Sequence, residues 1–209
     1  MAADRLYEST ETGRLPALSD GVIAIVITLL VLDITVPDLP PGASEAAIVA
    51  AVLAQGSQFV GYVLSFLTIG LYWTLHRRAF TYIDRHDRGV VWLNLLFLLL
   101  VSFVPFATSV FSTVETQLAV AFYAVVLAAT GLALAILWMY AGRRQLVSEG
   151  LGSRVVVIDA ARYLATPAVF ALSAAVATVD TRWAIASWLL LLPINGFLQS
   201  RLSEAFEGE

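Results

Sequence analysis

The chain has 209 residues, of which 59% are hydrophobic and 13% charged, with a mean hydropathy of +0.83. No soluble domain of this size needs so much apolar surface, so the composition defines an all-α polytopic membrane protein with no separate soluble domain. The net charge of −4 says little alone, and the lack of Cys excludes disulfides, thiolate catalysis and thiolate metal sites.

The first twelve residues carry Asp4, Glu8 and Glu11 without an apolar core, which argues against a cleaved signal peptide. Hydropathy and helix breakers then mark six transmembrane helices in a single domain, residues 1–209. The first runs over about 17–36 and is closed by Pro37, Pro40 and Pro41. The second, about 46–76, is longer than a bilayer requires, so it is tilted or its 55–58 end emerges into water. The third, about 89–111, carries Asn94 and Pro105. The fourth, about 116–142, is almost continuous Ala, Val and Leu. The fifth, about 153–179, contains Arg162 and Pro167, and the sixth, about 181–199, has Trp183 and Trp188 near its start and Pro193 inside.

Every basic residue other than histidine is arginine. Arg5, Arg14, Arg77, Arg78, Arg85, Arg88, Arg143, Arg144, Arg154 and Arg201 fall at the end that holds both termini; Arg182 alone falls at the other. The positive-inside rule places both termini in the cytoplasm. The outer end carries Asp33, Asp38, Glu45, Glu115 and Asp180. Such a mouth would concentrate cations; the plainer reading is a set of solvated loop charges.

At 100° per residue, Leu18, Gly21, Ile25, Leu29 and Leu32 form one stripe of the first helix, with Thr28 on its shoulder. Asp20 lies about 140° from Ile25. Facing lipid, its carboxylate would cost roughly 3 kcal/mol, so it is expected to face protein. A helix-start cap behind Pro16 would explain Ser19 or Asp20 singly but not Arg14, Ser19 and Asp20 together. In the second helix Tyr72 and Trp73 suit an interfacial belt. His76, at the depth of Asp20, reads as structural rather than as a metal ligand, and His86 as solvated. Asn94 is placed to hydrogen-bond across helices.

Enzyme chemistry finds no support: there is no HExxH, no nucleophile–base set and no pair of mid-helix aspartates, and GLGS at 150–153 is a loop. Asp159 and Arg162 read as a packing pair. A secondary transporter would need an acid or an unwound helix at mid-membrane, whereas Asp20 and Asp33 lie near helix ends. A structural membrane protein without ion flux is the other alternative. No TVGYG-like segment offers a carbonyl filter.

GRLPALSDGVIAIVITLLVLDITVP resembles the first helix of the transmembrane protein 175 family, the endosomal and lysosomal potassium channel and its bacterial relatives. Arg14, Ser19 and Asp20 match that family's Arg, then Phe-Ser-Asp, with Leu18 in place of the Phe. SFLTIGLYWTLHRRAF and WLNLLFLLLVSFVPFATSVF are similar to its second and third helices. The resemblance implies a potassium-permeable, moderately selective cation channel in the bacterial inner membrane, built as a homotetramer of one six-helix repeat. It implies helix 1 around a central pore with a constriction at Ile25, Leu29 and Leu32 and cation preference aided by Thr28. It also implies a polar network of Arg14, Ser19, Asp20, Trp73, His76 and Asn94. The partners implied are potassium ions, membrane lipid and identical subunits, with no cofactor, metal or nucleic acid. Four Ile25 side chains around an axis would make an aliphatic ring that gates by dewetting.

Overall fold

The computed structural model describes residues 2–114, 116–148, 153–191, 193–198 and 200, with side chains from Gly13 onward except for 153–155. The expectations that rest on the side chains of Arg5, Glu115, Arg154 and Arg201 lie outside the described residues. Among the described residues the named α-helices are, in order, α1 (Ala2–Leu29), α2 (Glu45–Leu53), α3 (Gly56–Tyr82), α4 (Arg88–Thr113), α5 (Gln117–Arg143), α6 (Ser153–Ala177) and α7 (Thr181–Ser187). Among the described residues five helices are long and apolar enough to cross a membrane, over Gly13–Asp33, Gly56–Tyr82, Arg88–Thr113, Gln117–Arg143 and Val156–Ala177.

Three boundaries differ from the sequence reading. The first helix begins far upstream of residue 17 and passes through Pro16; it tightens into a 3₁₀ turn, Leu30–Asp33, before the prolines are reached. Ser19 is therefore a mid-helix residue and not a cap. The second segment is two helices: Ala54 and Gln55 form a turn, with Gln55 at φ −86°, ψ 19°, and α3 then runs on past His76 to Tyr82. The last segment changes from α7 to a 3₁₀ turn at Trp188–Leu190, with helix again at 193–198.

Four of the helices, α2, α4, α5 and α7, start at side-chain caps. Ser44 accepts from Ala47 N, Asp87 from Val90 N, Thr116 from Ala119 N and Asp180 from Arg182 N, each quieting an orphan N–H at a helix N-terminus. Helix α5 is the hub. Apolar on all sides, it packs between α4 and α6 and is the most deeply buried of the five spans. Gly131 lets three helices converge there, because a Cβ would lie 3.0 Å from both Pro167 Cδ of α6 and Tyr72 Oη of α3. The Tyr72 hydroxyl uses that approach to donate to Leu127 O at 2.6 Å, so Tyr72 is fully buried and not part of an interfacial belt.

Polar groups inside the bundle are paired across helices. Ser65 Oγ meets Thr108 Oγ1 at 2.7 Å and Tyr123 Oη at 2.8 Å, joining α3, α4 and α5. Trp188 Nε1 donates to Ser173 Oγ at 2.7 Å. At the arginine-rich end Arg78 Nε donates to both oxygens of Asp159, at 3.0 and 3.2 Å. Asp159 thus bonds to α3, while Arg162, also buried, stands beside the pair. At the same end the α3–α4 and α5–α6 loops clasp each other. Ile83 and Val147 form a single antiparallel bridge, Asp84 N and Arg85 N donate to Leu146 O, and Ser148 N donates to Tyr82 O.

Candidate ion pathway and its anchoring network

Helix α1 has two unlike faces. Ser19, Ile23, Val26 and Leu30 are spaced four, three and four residues apart and are buried against α3 and α4. On the other side Leu18, Gly21, Ile25, Thr28, Leu29 and Leu32 are exposed; Ile25 retains 60% and Leu32 71% of its accessible surface. The stripe marked in the sequence is therefore turned away from its own bundle. Among the described residues no other helix covers it.

A polar anchor fixes that rotation. Asn94 Nδ2 of α4 donates to Ser19 Oγ at 2.9 Å, and the Ser19 hydroxyl donates to Leu15 O at 2.9 Å. With its amide nitrogen so engaged, Asn94 turns Oδ1 to His76 of α3, 2.8 Å from Nε2, so the bond requires the proton on Nε2. The His76 ring is sandwiched, stacked on Phe97 at 5.3 Å and tilted against Phe80 at 4.5 Å. Both Asn94 and His76 are buried. One turn back along α3, Trp73 Nε1 donates to Asp20 Oδ1 at 2.8 Å. Arg77 lies over the Trp73 ring, 5.7 Å from its centroid. Asp20, Ile23, Ala24, Ile27 and Trp73 line an open groove of about 330 Å³ between α1 and α3.

The structure thus joins Ser19, Asn94 and His76 in one chain of hydrogen bonds and Asp20 with Trp73 in another. Arg14 enters neither. It is exposed eleven residues before Ile25, about 20° from it around the helix, and so continues the open stripe. Leu18, which stands where the family has Phe, is also on that stripe.

Thr28 Oγ1 donates to Ile25 O at 2.8 Å. Its one proton is committed to the backbone, and its lone pairs are left free on the exposed side. A hydroxyl so arranged can only accept, which suits a cation and not an anion.

Beyond Leu32 the outer end is tied to α3 by Thr35 N, which donates to Gln58 Oε1 at 3.2 Å. Asp38 and Glu45 are exposed there, and Asp33 and Asp180 half-buried. Ser109 of α4 faces the Asp33 carboxyl, whose Oδ2 is enclosed without a hydrogen-bond partner. The loop histidine His86 is half-buried with its ring edge-on to Phe80 at 5.4 Å, and burial pushes its pKa below the usual value despite a hydrogen bond that its ring donates to the Ile83 backbone. Among the described residues no group of three acidic or histidine side chains is arranged to hold a metal ion.

Sequence reading missed Phe97 as the plate under His76, and Arg78 as the partner of Asp159. Phe97 carried a usable signal, three residues after Asn94 and so on the same helical face. Arg78 stands far away in the chain and carried none.

The fold, with five apolar helices long enough to span a bilayer among the described residues, is that of an all-helical integral membrane protein. Residues 14–105 match the family described as "Endosomal/lysosomal potassium channel TMEM175". A potassium channel of Streptomyces collinus is 41% identical over 140 residues, 64% of this chain and 66% of that protein. One from Chamaesiphon minutus is 36% identical over 138 residues, 64% of this chain and 68% of that one. The human endosomal/lysosomal proton channel TMEM175 is 42% identical over 108 residues, but these make up 21% of its length. The crystal structure of a lysosomal potassium-selective channel TMEM175 homologue from Chamaesiphon minutus superposes with a TM-score of 0.75 at 27% identity, covering 92% of this chain and 98% of that one. The chain belongs to the TMEM175 family, a family of ion channels and not of enzymes.

Proposed function

We propose that this chain is the subunit of a potassium-permeable, moderately selective cation channel. In this reading six spans place both termini in the cytoplasm, and four copies surround an axis lined by α1. Ile25, Leu29 and Leu32 then form three aliphatic layers of a hydrophobic constriction, with Thr28 oxygens between them. The supporting observation is the α1 face itself: a row of exposed aliphatic side chains on a helix whose opposite face is pinned by Ser19 and Asn94. The described residues of one subunit leave that face without protein cover, and its stagger of small, hydroxyl and aliphatic groups suits a ring better than a lipid contact.

Selectivity in such a ring comes from dehydration. Potassium gives up water at lower cost than sodium, and Thr28 lone pairs compensate part of that cost; without a carbonyl cage the discrimination stays modest. The names of the potassium channel relatives support the permeant ion. No cofactor is needed for permeation, and the surrounding partner is membrane lipid.

The test is ion flux in liposomes holding the purified protein. Potassium is expected to pass faster than sodium with no added factor, and a pH-sensitive dye reports any proton flux alongside. Absence of flux for every ion at every pH tried would remove the channel assignment.

A further inference from the structure

The α3–α4 and α5–α6 loops, with the helix ends that flank them, carry Arg85, Arg88, Arg143 and Arg144 against Asp84, Asp87 and Glu149. Loop charges are ordinarily dispersed by motion, but here they are built in. Helix α5 ends in a Schellman turn, with Gln145 N donating to Gly142 O and Leu146 N to Ala141 O. Gln145 takes the left-handed conformation, φ 54°, that such a turn demands. Its carbonyl is thereby presented to Arg85, whose Nη2 donates to it at 2.6 Å. The Ile83–Val147 bridge locks the two loops side by side.

Asp87 is not free to cancel the arginines. Asp87 caps Val90 N at 2.9 Å, accepts from the Tyr140 hydroxyl at 2.8 Å, and reaches Arg144 Nε at 3.9 Å. Arg144 still shows 65% of its side chain, and Arg85, Arg88 and Arg143 are exposed. The result is a fixed, outward-facing cluster with an excess of positive charge.

We propose that this clasp docks the phosphate of anionic phospholipid headgroups. Charge complementarity calls for a phosphate, and Trp92 says that it belongs to a lipid. That indole lies one turn along α4 from Arg88 on the same face and keeps 70% of its surface, and Leu99, Phe103 and Phe106 continue the exposed face. Arginine, then tryptophan, then aliphatic and phenyl groups is the order of a headgroup, an interface and acyl chains. A soluble anion would have no use for the lower part of that face.

Native mass spectrometry of the purified protein, titrated with phosphatidylglycerol and separately with phosphatidylcholine, tests the site. Phosphatidylglycerol is expected to be retained and to raise the thermal midpoint, and phosphatidylcholine to do neither. Each arginine removed should weaken retention roughly fivefold, from about 1 kcal/mol per residue. Arg85→Gln with Arg144→Gln should show it, and Arg182→Gln at the opposite end should not. Because Arg85 also bonds to Gln145, Arg88→Gln, which breaks no side-chain hydrogen bond among the described residues, carries the test if the double variant misfolds. Unchanged retention in the arginine variants, or equal stabilisation by inorganic phosphate, would overturn the proposal.

Discussion

Asn94 holds Ser19 at 2.9 Å through its amide nitrogen while its oxygen takes His76 at 2.8 Å, so one side chain of α4 sets the rotation of α1 against α3. Rotation matters because successive residues on α1 differ by 100°. A turn of one residue would replace Ile25 with Ala24 or Val26 on the open face.

Asn94→Leu should therefore act on stability and permeation together. It strands the buried His76 Nε2, at about 1–3 kcal/mol for an unsatisfied group, and removes the amide donor from Ser19 Oγ, whose own proton stays on Leu15 O. Thermal unfolding in detergent should show the loss. Flux per folded protein should fall too, since α1 is no longer held in register; normal flux from a destabilised variant would mean that the anchor holds the fold but does not orient the pathway.

Ile25→Asn probes the open face. With 60% of its surface exposed in the subunit, Ile25 supports little of the subunit's packing, so the fold should tolerate the amide. Wetting the aliphatic ring should raise potassium flux and erode its preference over sodium. Unchanged flux in an assembled variant would move the constriction away from this residue.

Much of this helix was legible in the sequence because its signals are local. The period of 3.6 separates Ser19, Ile23, Val26 and Leu30 from Leu18, Ile25 and Leu32 whatever surrounds them. Tyr72 was misread for the opposite reason: nothing within α3 reveals that Gly131, on another helix, opens space for its ring and offers Leu127 O to its hydroxyl. The break at Ala54–Gln55 was equally silent, having no proline and only a following glycine. Arg14 matched its motif by position, yet its place on the open stripe separates it from the polar residues named with it.

The Arg78–Asp159 pair makes a further prediction. Asp159 is fully enclosed and meets Arg78 through two oxygens, with the buried Arg162 alongside. Asp159→Leu removes the carboxylate from between two guanidinium groups, and breaking one side of a buried ion pair costs about 3–5 kcal/mol. Arg78→Met combined with Asp159→Leu should recover part of that loss, measured by thermal unfolding of the double variant against the singles.

The clasp predicts a gain. Gln145 sits at φ 54°, where a Cβ is crowded and glycine is not, and the bond from Arg85 uses its backbone carbonyl, which glycine retains. Gln145→Gly should stabilise the protein by about 1 kcal/mol, the usual penalty for a side chain in the left-handed region. A lower thermal midpoint would show that the Gln145 side chain contributes to the loop in a way its backbone does not.

Asp87 gives the clasp a pH dependence with a definite sign. Partial burial works to raise its pKa, but the Val90 N–H, the Tyr140 hydroxyl, the Arg144 guanidinium and the Gly89 N–H together hold it below the ordinary carboxylate value. A carboxyl depressed on folding contributes stability above its unfolded pKa and loses it as pH falls through the folded one. Asp87's contribution to the α3–α4 junction should accordingly be constant between about pH 6 and 8 and fade only in acid, below the ordinary Asp range near 4. Asp87→Asn keeps a cap oxygen for Val90 but gives up the ion pair, so its thermal midpoint should change less between neutral and acid pH than the wild type's. Equal acid sensitivity in both proteins would assign the transition to another carboxylate.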